Sequence, residues 1–163
     1  MAPLLKTLVF TIIVPGTVAV YVPYLILQDE ARASFGVFRL TGIVPLTVGV
    51  GFYLWCAWHF ASRGRGTPAP IDPPKMLVSH GLYAVVRNPM YVGVLGILFG
   101  EAILFSSMTL VYYSVFVTLG FHAFIVLYEE PGLKIAFGAS YEEYCETVPR
   151  WLPRLKRRHE LPP

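Results

Sequence analysis

Two polar clusters stand out in a chain that is otherwise apolar. The first lies in GLYAVVRNPMYVG, 81–93, and carries Tyr83, Arg87, Asn88 and Tyr91. The second is the acidic pair Glu129 and Glu130, followed by FGASYEEYCETVPR over 137–150. A guanidinium is a permanent cation with five donors, and an amide both donates and accepts. Carboxylates attract cations or take up a proton, and tyrosine rings attract cationic groups through their faces. His59, His122, Glu101, Cys56 and Cys145 are the other side chains with chemistry to offer. None of the histidines or cysteines has metal-site spacing, and the two cysteines set up no disulfide framework. No metal is expected.

The elements that must position these groups are set by the bilayer. Of 163 residues, 55% are hydrophobic and 14% charged, against about a quarter charged in a soluble domain. The length allows one domain. Four stretches approach the ~20 apolar residues a membrane helix needs: 4–27, 37–61, 89–105 and 109–128. Pro15, Pro23 and Pro45 are poor choices for soluble helices but tolerated in membrane ones, where neighbours satisfy the freed carbonyls. The first stretch is too long for a typical signal-peptide core and further spans follow, so it reads as a retained helix. The expected fold is all-α: one membrane domain over 1–163 with four transmembrane helices, a loop over 62–88 and a tail over 129–163.

Charge placement orients it. The link between the second and third spans carries Arg63, Arg65, Lys75 and Arg87, and the tail carries Lys134, Arg150, Arg154, Lys156, Arg157 and Arg158. The first link holds Arg32 and Arg39 against Asp29 and Glu30, and the turn at 106–108 holds no charge. The positive-inside rule then places both termini and the long link in the cytoplasm. The expected setting is the inner membrane of a prokaryote. The Pro- and Gly-rich stretch 62–80 reads as loop. Leu133, Ile135, Ala136, Phe137, Tyr141 and Tyr144 are expected to form an apolar stripe on short amphipathic helices at the membrane surface. Pro149 and Pro153 end regular structure there. The basic run RLKRRHE reads as a topology signal touching anionic lipid; nucleic acid binding would need more basic and aromatic surface.

The third and fourth spans are joined by a short turn near Ser107. Residues equally far from it along two helices rising ~1.5 Å per residue lie at one depth. Arg87 and Asn88 are therefore level with 126–128, within about a turn of Glu129 and Glu130. Spacing alone admits two readings, an interfacial ion pair framed by Tyr83, Tyr91 and Tyr128, or a binding site. Glu101 falls deeper, toward the far leaflet, where pairing or interfacial exposure is expected. His122 is level with Gly93 and fits either a site-facing or a helix-to-helix hydrogen bond. His59 caps the site or reaches the interface. Cys56 reads as a small core residue, and Gly93, Gly96 and Gly100 as positions of close helix packing.

The segment LVSHGLYAVVRNPMYVG followed by EEPGLKIAFGASYEEYCETVPRWLP resembles the isoprenylcysteine carboxyl methyltransferase family, whose pattern is related to that of phospholipid methyltransferases. Gly81, Tyr83, Arg87, Asn88, Pro89, Tyr91 and Gly93 match its first block. Glu129, Glu130, Phe137, Gly138, Tyr141, Tyr144, Val148 and Pro149 match its second. The order and spacing of the two blocks make the likeness specific, and it covers about the C-terminal half of the chain. The resemblance implies a membrane enzyme that uses S-adenosylmethionine without a Rossmann domain, and no strand followed by Gly-x-Gly-x-x-Gly occurs here. It implies cofactor contacts at Lys75, Met76, Leu77, Val78, Tyr83, Asn88, Pro89, Met90, Tyr91 and Glu129. Asn88 stands where histidine is commoner in the family. The arginine that the prenyl-cysteine enzymes carry four residues before the first glutamate is Ile125 here, so the eukaryotic substrate is not carried over. Arg150 is a candidate replacement.

The implied chemistry is in-line transfer of a methyl group to a lipophilic acceptor at the cytoplasmic face, driven mostly by alignment. An isoprenylcysteine-type carboxylate, already ionised at neutral pH, needs no general base. A phospholipid amine needs one, and Glu130 and His122 are the nearby candidates. Arg87, Glu130, His122 and Arg150 thus form the candidate catalytic set. The competing reading is a four-helix scaffold or carrier of a hydrophobic ligand. The expected partners are the bilayer and a lipophilic acceptor.

Overall fold

The computed structural model describes residues 3–28, 36–63 and 77–153. Lys75 and Met76, most of the Pro-rich link and the basic run after Pro153 lie outside the described residues. Everything regular within them is helical: α1 (Pro3–Gly16), α2 (Val22–Gln28), α3 (Ile43–Arg63), α4 (Pro89–Leu104), α5 (Met108–Phe124), α6 (Glu130–Phe137) and α7 (Ala139–Thr147).

The first long helix is α1 and α2 joined by a π-turn, Thr17–Tyr21. In that turn the N–H of Val22 bonds the carbonyl of Thr17, five residues back. The same spacing from Val18 reaches Pro23, which has no N–H to give. The Val18 carbonyl accepts from the Tyr113 hydroxyl of α5 instead, at 2.9 Å. A second tyrosine ties α1 to α3, Tyr53 Oη donating to Thr11 Oγ1 at 2.8 Å. The carbonyl that Pro23 leaves free is thus satisfied by a neighbouring helix.

A 3₁₀ segment, Gly36–Gly42, leads into α3. Helices α3 and α4 approach backbone to backbone. A Cβ placed on Gly49 would lie 2.5 Å from the Gly93 carbonyl oxygen, and one on Gly100 would lie 2.6 Å from Leu46 N. Only hydrogen fits there. The packing expected of Gly93, Gly96 and Gly100 holds, with Gly42 and Gly49 facing them. Cys56, fully buried, is the small core residue it was expected to be.

Three helical stretches are long and apolar enough to cross a membrane: Thr7–Gln28, Gly36–His59 and Met108–Phe137. The fourth apolar helix, Pro89–Leu104, has 16 residues, about 24 Å at 1.5 Å per residue against a hydrocarbon core of about 30 Å. Between α4 and α5 the chain reverses through Phe105, Ser106 and Ser107. Ser106 takes a positive φ of 54°, and the Ser107 Oγ caps α5 by accepting from Leu110 N at 3.0 Å.

Helix α5 does not stop near 128. A second π-turn, Ile125–Glu129, carries it straight into α6. Gly138, with φ 53°, then turns the chain into α7. The stripe expected on the membrane surface splits in two. Tyr141, Tyr144 and Val148 are buried and pack with Leu77, Leu133 and Phe137, whereas Ile135 is 89% exposed. The sharp turn at Gly138 folds α7 back, so the tyrosines cover the polar site rather than lipid. Glu101 also departs from expectation. The residue is part-buried, and its Oε2 is buried with no hydrogen-bond partner among the described residues, so that oxygen makes neither the pairing nor the exposure expected.

Candidate functional site

Asn88 starts α4, with Pro89 in the first helical position, where a missing N–H costs nothing. The Asn88 side chain does not cap the helix. It reaches across to the tail, Nδ2 donating to the Arg150 carbonyl at 3.3 Å. Beside it the Arg87 N–H donates to the Pro149 carbonyl at 2.9 Å. A short 3₁₀ turn, Gly81–Ala84, presents Tyr83, whose carbonyl accepts from the Tyr144 hydroxyl at 2.6 Å. Burial raises the Tyr144 phenol pKa above its ordinary value, which keeps the hydroxyl a donor. Gly81 has φ +65° and lies against Trp55, a place a side chain could not occupy.

The hairpin brings the two clusters together, as the depth argument expected of Arg87 and the glutamates. Tyr91 Oη donates to Glu129 Oε2 at 2.9 Å, and Arg87 Nη1 lies 3.2 Å from Glu130 Oε1. The π-turn adds one residue to the helical turn at this level. Phe121 and Ile125, then Glu129 and Glu130, all face the motif as a result. Such turns recur at functional sites.

The two glutamates are treated differently. Glu130 is doubly engaged: Arg150 donates to it in a bidentate fork at 2.7 and 2.8 Å, and Arg87 pairs with the same carboxylate. Those hydrogen bonds hold the Arg150 guanidinium pKa above its usual value. Glu129 receives only the neutral Tyr91 hydroxyl, and no cation pairs with it among the described residues. Arg87 also contacts Cys145 Sγ, yet its Nε is buried with no hydrogen-bond partner among the described residues.

Two cavities meet at this point. The larger, about 440 Å³, is walled by the motif, α4, α5 and the first helix. The smaller, about 90 Å³, lies under the tail against Leu77, Val78, Ile125, Leu133 and the two buried tyrosines. Tyr83, Arg87, Asn88 and Glu129 border both. The larger cavity is otherwise mostly apolar, and the polar groups converge at one end of it.

Most of the sequence-selected residues therefore meet. Met90 and Tyr91 line the larger cavity, and Leu77, Val78 and Glu130 the smaller. Pro89 is buried at the start of α4 and lines neither. Arg150 enters the cluster through Glu130. His122 stands apart, its Nδ1 accepting from Trp151 Nε1 at 3.2 Å. His59 stacks on Trp55 and lies 3.0 Å, Nε2 to Nε2, from His80. Sequence reasoning missed Phe10, Val14, Pro15 and Val18, which form the outer wall of the larger cavity. The signal was present in the proline-interrupted apolar run 10–23, but it was read for span length alone. Trp151 and the Pro149 carbonyl were missed as well, because backbone acceptors in a tail carry no residue signature.

A bundle of apolar, membrane-length helices with charged groups gathered at the end of one hairpin defines a membrane protein with a built polar site. Residues 37–140 match the phospholipid methyltransferase family, and the chain belongs to it. That family is one of membrane methyltransferases and includes the isoprenylcysteine carboxyl methyltransferase-like enzymes, as the two sequence blocks led us to expect. No curated protein and no solved structure matches the chain significantly.

Proposed function

We propose that the protein is a methyltransferase of the cytoplasmic membrane face that takes S-adenosylmethionine as donor and a lipophilic molecule as acceptor. In this reading the chain crosses the membrane four times with both termini in the cytoplasm, α4 being the short span. The observation that carries the reading is the unequal treatment of the glutamates. Glu130 is spent on two arginines, while Glu129, at the junction of two cavities, keeps a carboxylate with no cation paired to it among the described residues. An uncompensated carboxylate flanked by Tyr83 and Tyr91 is a receptor for a positive charge.

The donor carries two such charges, a sulfonium and an ammonium, besides a carboxylate. The residues present fit it: Glu129 with Tyr83 and Tyr91 for the cationic groups, and Asn88 with the unpartnered Arg87 Nε for acceptor atoms. When bound, S-adenosylmethionine supplies a methyl group on a positive sulfur, which passes to an acceptor lone pair and leaves a neutral thioether. The protein's own part is alignment. Tyr91 fixes the Glu129 carboxylate, and the tail straps the motif loop through Pro149 and Arg150. The apolar cavity gives an acceptor a dry approach to that junction.

A carboxylate acceptor fits better than an amine. An amine must lose a proton, but the Glu130 carboxylate is held by two guanidiniums and the His122 Nδ1 by Trp151. An ionised acceptor needs neither and meets Arg87 at the septum. Calorimetry on the purified protein in detergent tests the donor site, with S-adenosylmethionine and its demethylated product as ligands. Saturable binding by the wild type, weakened at least tenfold by Glu129→Gln, is expected. Absence of saturable binding would favour the scaffold reading and end this one.

A further inference from the structure

We infer that the first helix is the selectivity wall for the acceptor's apolar portion, and that Tyr53 and Tyr113 are the positioning residues that hold it. The inference rests on the methyltransferase reading but on different observations. The family match begins at residue 37 and includes the polar septum. The outer wall of the 440 Å³ cavity comes from the chain before it: Phe10, Val14, Pro15 and Val18. All four are apolar, so this wall offers volume and shape and no polar recognition. Inward of it, Val94 and Phe121 close the opposite side.

The wall's shape follows from its sequence. Pro15 and the π-turn Thr17–Tyr21 fall at the cavity, where a regular helix would run straight past. Val18 is the pivot. Its side chain lines the cavity while its carbonyl, left without a donor by Pro23, is held by Tyr113. Within the same wall, between Phe10 and Val14, Thr11 takes the Tyr53 hydroxyl. Tyr53 and Tyr113 border neither cavity. They reach the acceptor only through the helix they hold. Acceptor length and branching are therefore read by residues 10–18, while the donor and the polar head are handled by the septum.

The test uses two series of n-alkyl acceptors, one ending in a thioether carboxylate and one in a primary amine. Chain length is varied in each, and transfer of label from radioactive S-adenosylmethionine is measured in detergent. Val14→Phe and Val18→Phe narrow the cavity; Val14→Ala and Val18→Ala widen it and guard against variants that fail to fold. The narrowing pair should lose at least tenfold in kcat/KM for the longest accepted chains while short chains change less than twofold. The widening pair should move the optimum the other way. Tyr113→Phe should broaden the profile with donor affinity unchanged. A profile that all five variants leave in place overturns the inference, though the methyltransferase reading survives. Binding of dansyl-undecanoic acid is followed by fluorescence on the same samples. If neither series is methylated, the inference stands on saturable dansyl-undecanoic acid binding weakened by Val14→Phe and Val18→Phe. It falls if binding is absent or unaffected by them. Failure of the wild type to bind the donor by calorimetry identifies instead a failure of the underlying reading.

Discussion

Replacing Glu130 by glutamine removes the negative charge between two guanidiniums while keeping the side chain's shape. Three interactions are lost or weakened: the bidentate fork from Arg150 at 2.7 and 2.8 Å and the 3.2 Å pair with Arg87. Glu130 and Arg87 side chains are each 12% exposed and Arg150 is 30% exposed, so solvent screens the Arg150 half more. A hydrogen bond to a charged group is worth about 1.5–3 kcal/mol, and breaking a fully buried pair costs about 3–5 kcal/mol. This cluster lies between those limits and keeps some hydrogen bonding to the amide, so we expect a loss of about 2–4 kcal/mol. For a chain of this size each kcal/mol moves Tm by about 2–4 °C, and the midpoint should fall by about 4–16 °C. The assay is thermal unfolding in detergent followed by intrinsic fluorescence. A second readout separates this site from general weakening. The tail is held to the motif through Arg150, so tryptic cleavage after Arg150 should accelerate well before other sites open. Arg150→Ala, which leaves Arg87 to pair with Glu130, should cost about half as much. A Glu130→Gln protein with the wild-type midpoint and an equally protected tail would refute the argument that this cluster holds the tail on the site.

Tyr91→Phe removes the hydrogen bond that α4 donates to the Glu129 carboxylate. It should cost about 1 kcal/mol of stability and weaken donor binding by about tenfold, read by calorimetry. Gly49→Leu puts a side chain where Gly93 O stands 2.5 Å from an added Cβ. Helices α3 and α4 must then separate, and the yield of monodisperse protein on size exclusion should collapse, whereas the same change at Gly51, with open space around it, should be tolerated. Ser107→Ala removes the α5 cap and should lower stability by about 1 kcal/mol, a drop of about 2–4 °C in Tm, with no effect on donor affinity.

Much of the site was legible because the hairpin imposes a ruler. Counting equal distances from the Ser107 turn set Arg87 and Asn88 within about a turn of Glu129 and Glu130; Arg87 does meet Glu130, while Asn88 bonds the Arg150 carbonyl. The count tolerates an error of about one residue, which is why it foresaw the pairing of the clusters but not which glutamate takes which partner. That division depends on the π-turn at Ile125–Glu129, and nothing in the sequence IVLYE announces an extra residue in a turn. The tail was read less well. An amphipathic stripe with tyrosines fits a lipid surface and a polar protein surface equally, because a phenol is apolar in body and polar at its tip. The Gly138 turn decides between them by folding α7 back. The outer cavity wall was marked only by the proline-interrupted run 10–23, because in an apolar span lipid-facing and cavity-facing residues have the same composition.

The division of labour in the charge cluster also explains why a bilayer-embedded chain can keep four ionisable groups in so small a space. Arg87, Arg150, Glu129 and Glu130 sum to no net charge, so the cluster as a whole draws little field through the low-dielectric bundle. The balance is not local, however. Both arginines lean on Glu130, which concentrates positive charge toward the tail and leaves negative charge at Glu129, facing the larger cavity. A pairwise arrangement, Arg87 with Glu129 and Arg150 with Glu130, would satisfy the same charges and leave nothing for a ligand. The sequence enforces the unequal one. Tyr91 occupies the Glu129 carboxylate from the α4 side, and the Pro149 carbonyl holds the backbone of Arg87 toward the tail. A structural ion pair does not require this polarisation, whereas the proposed receptor for a cation carrying an acidic end does.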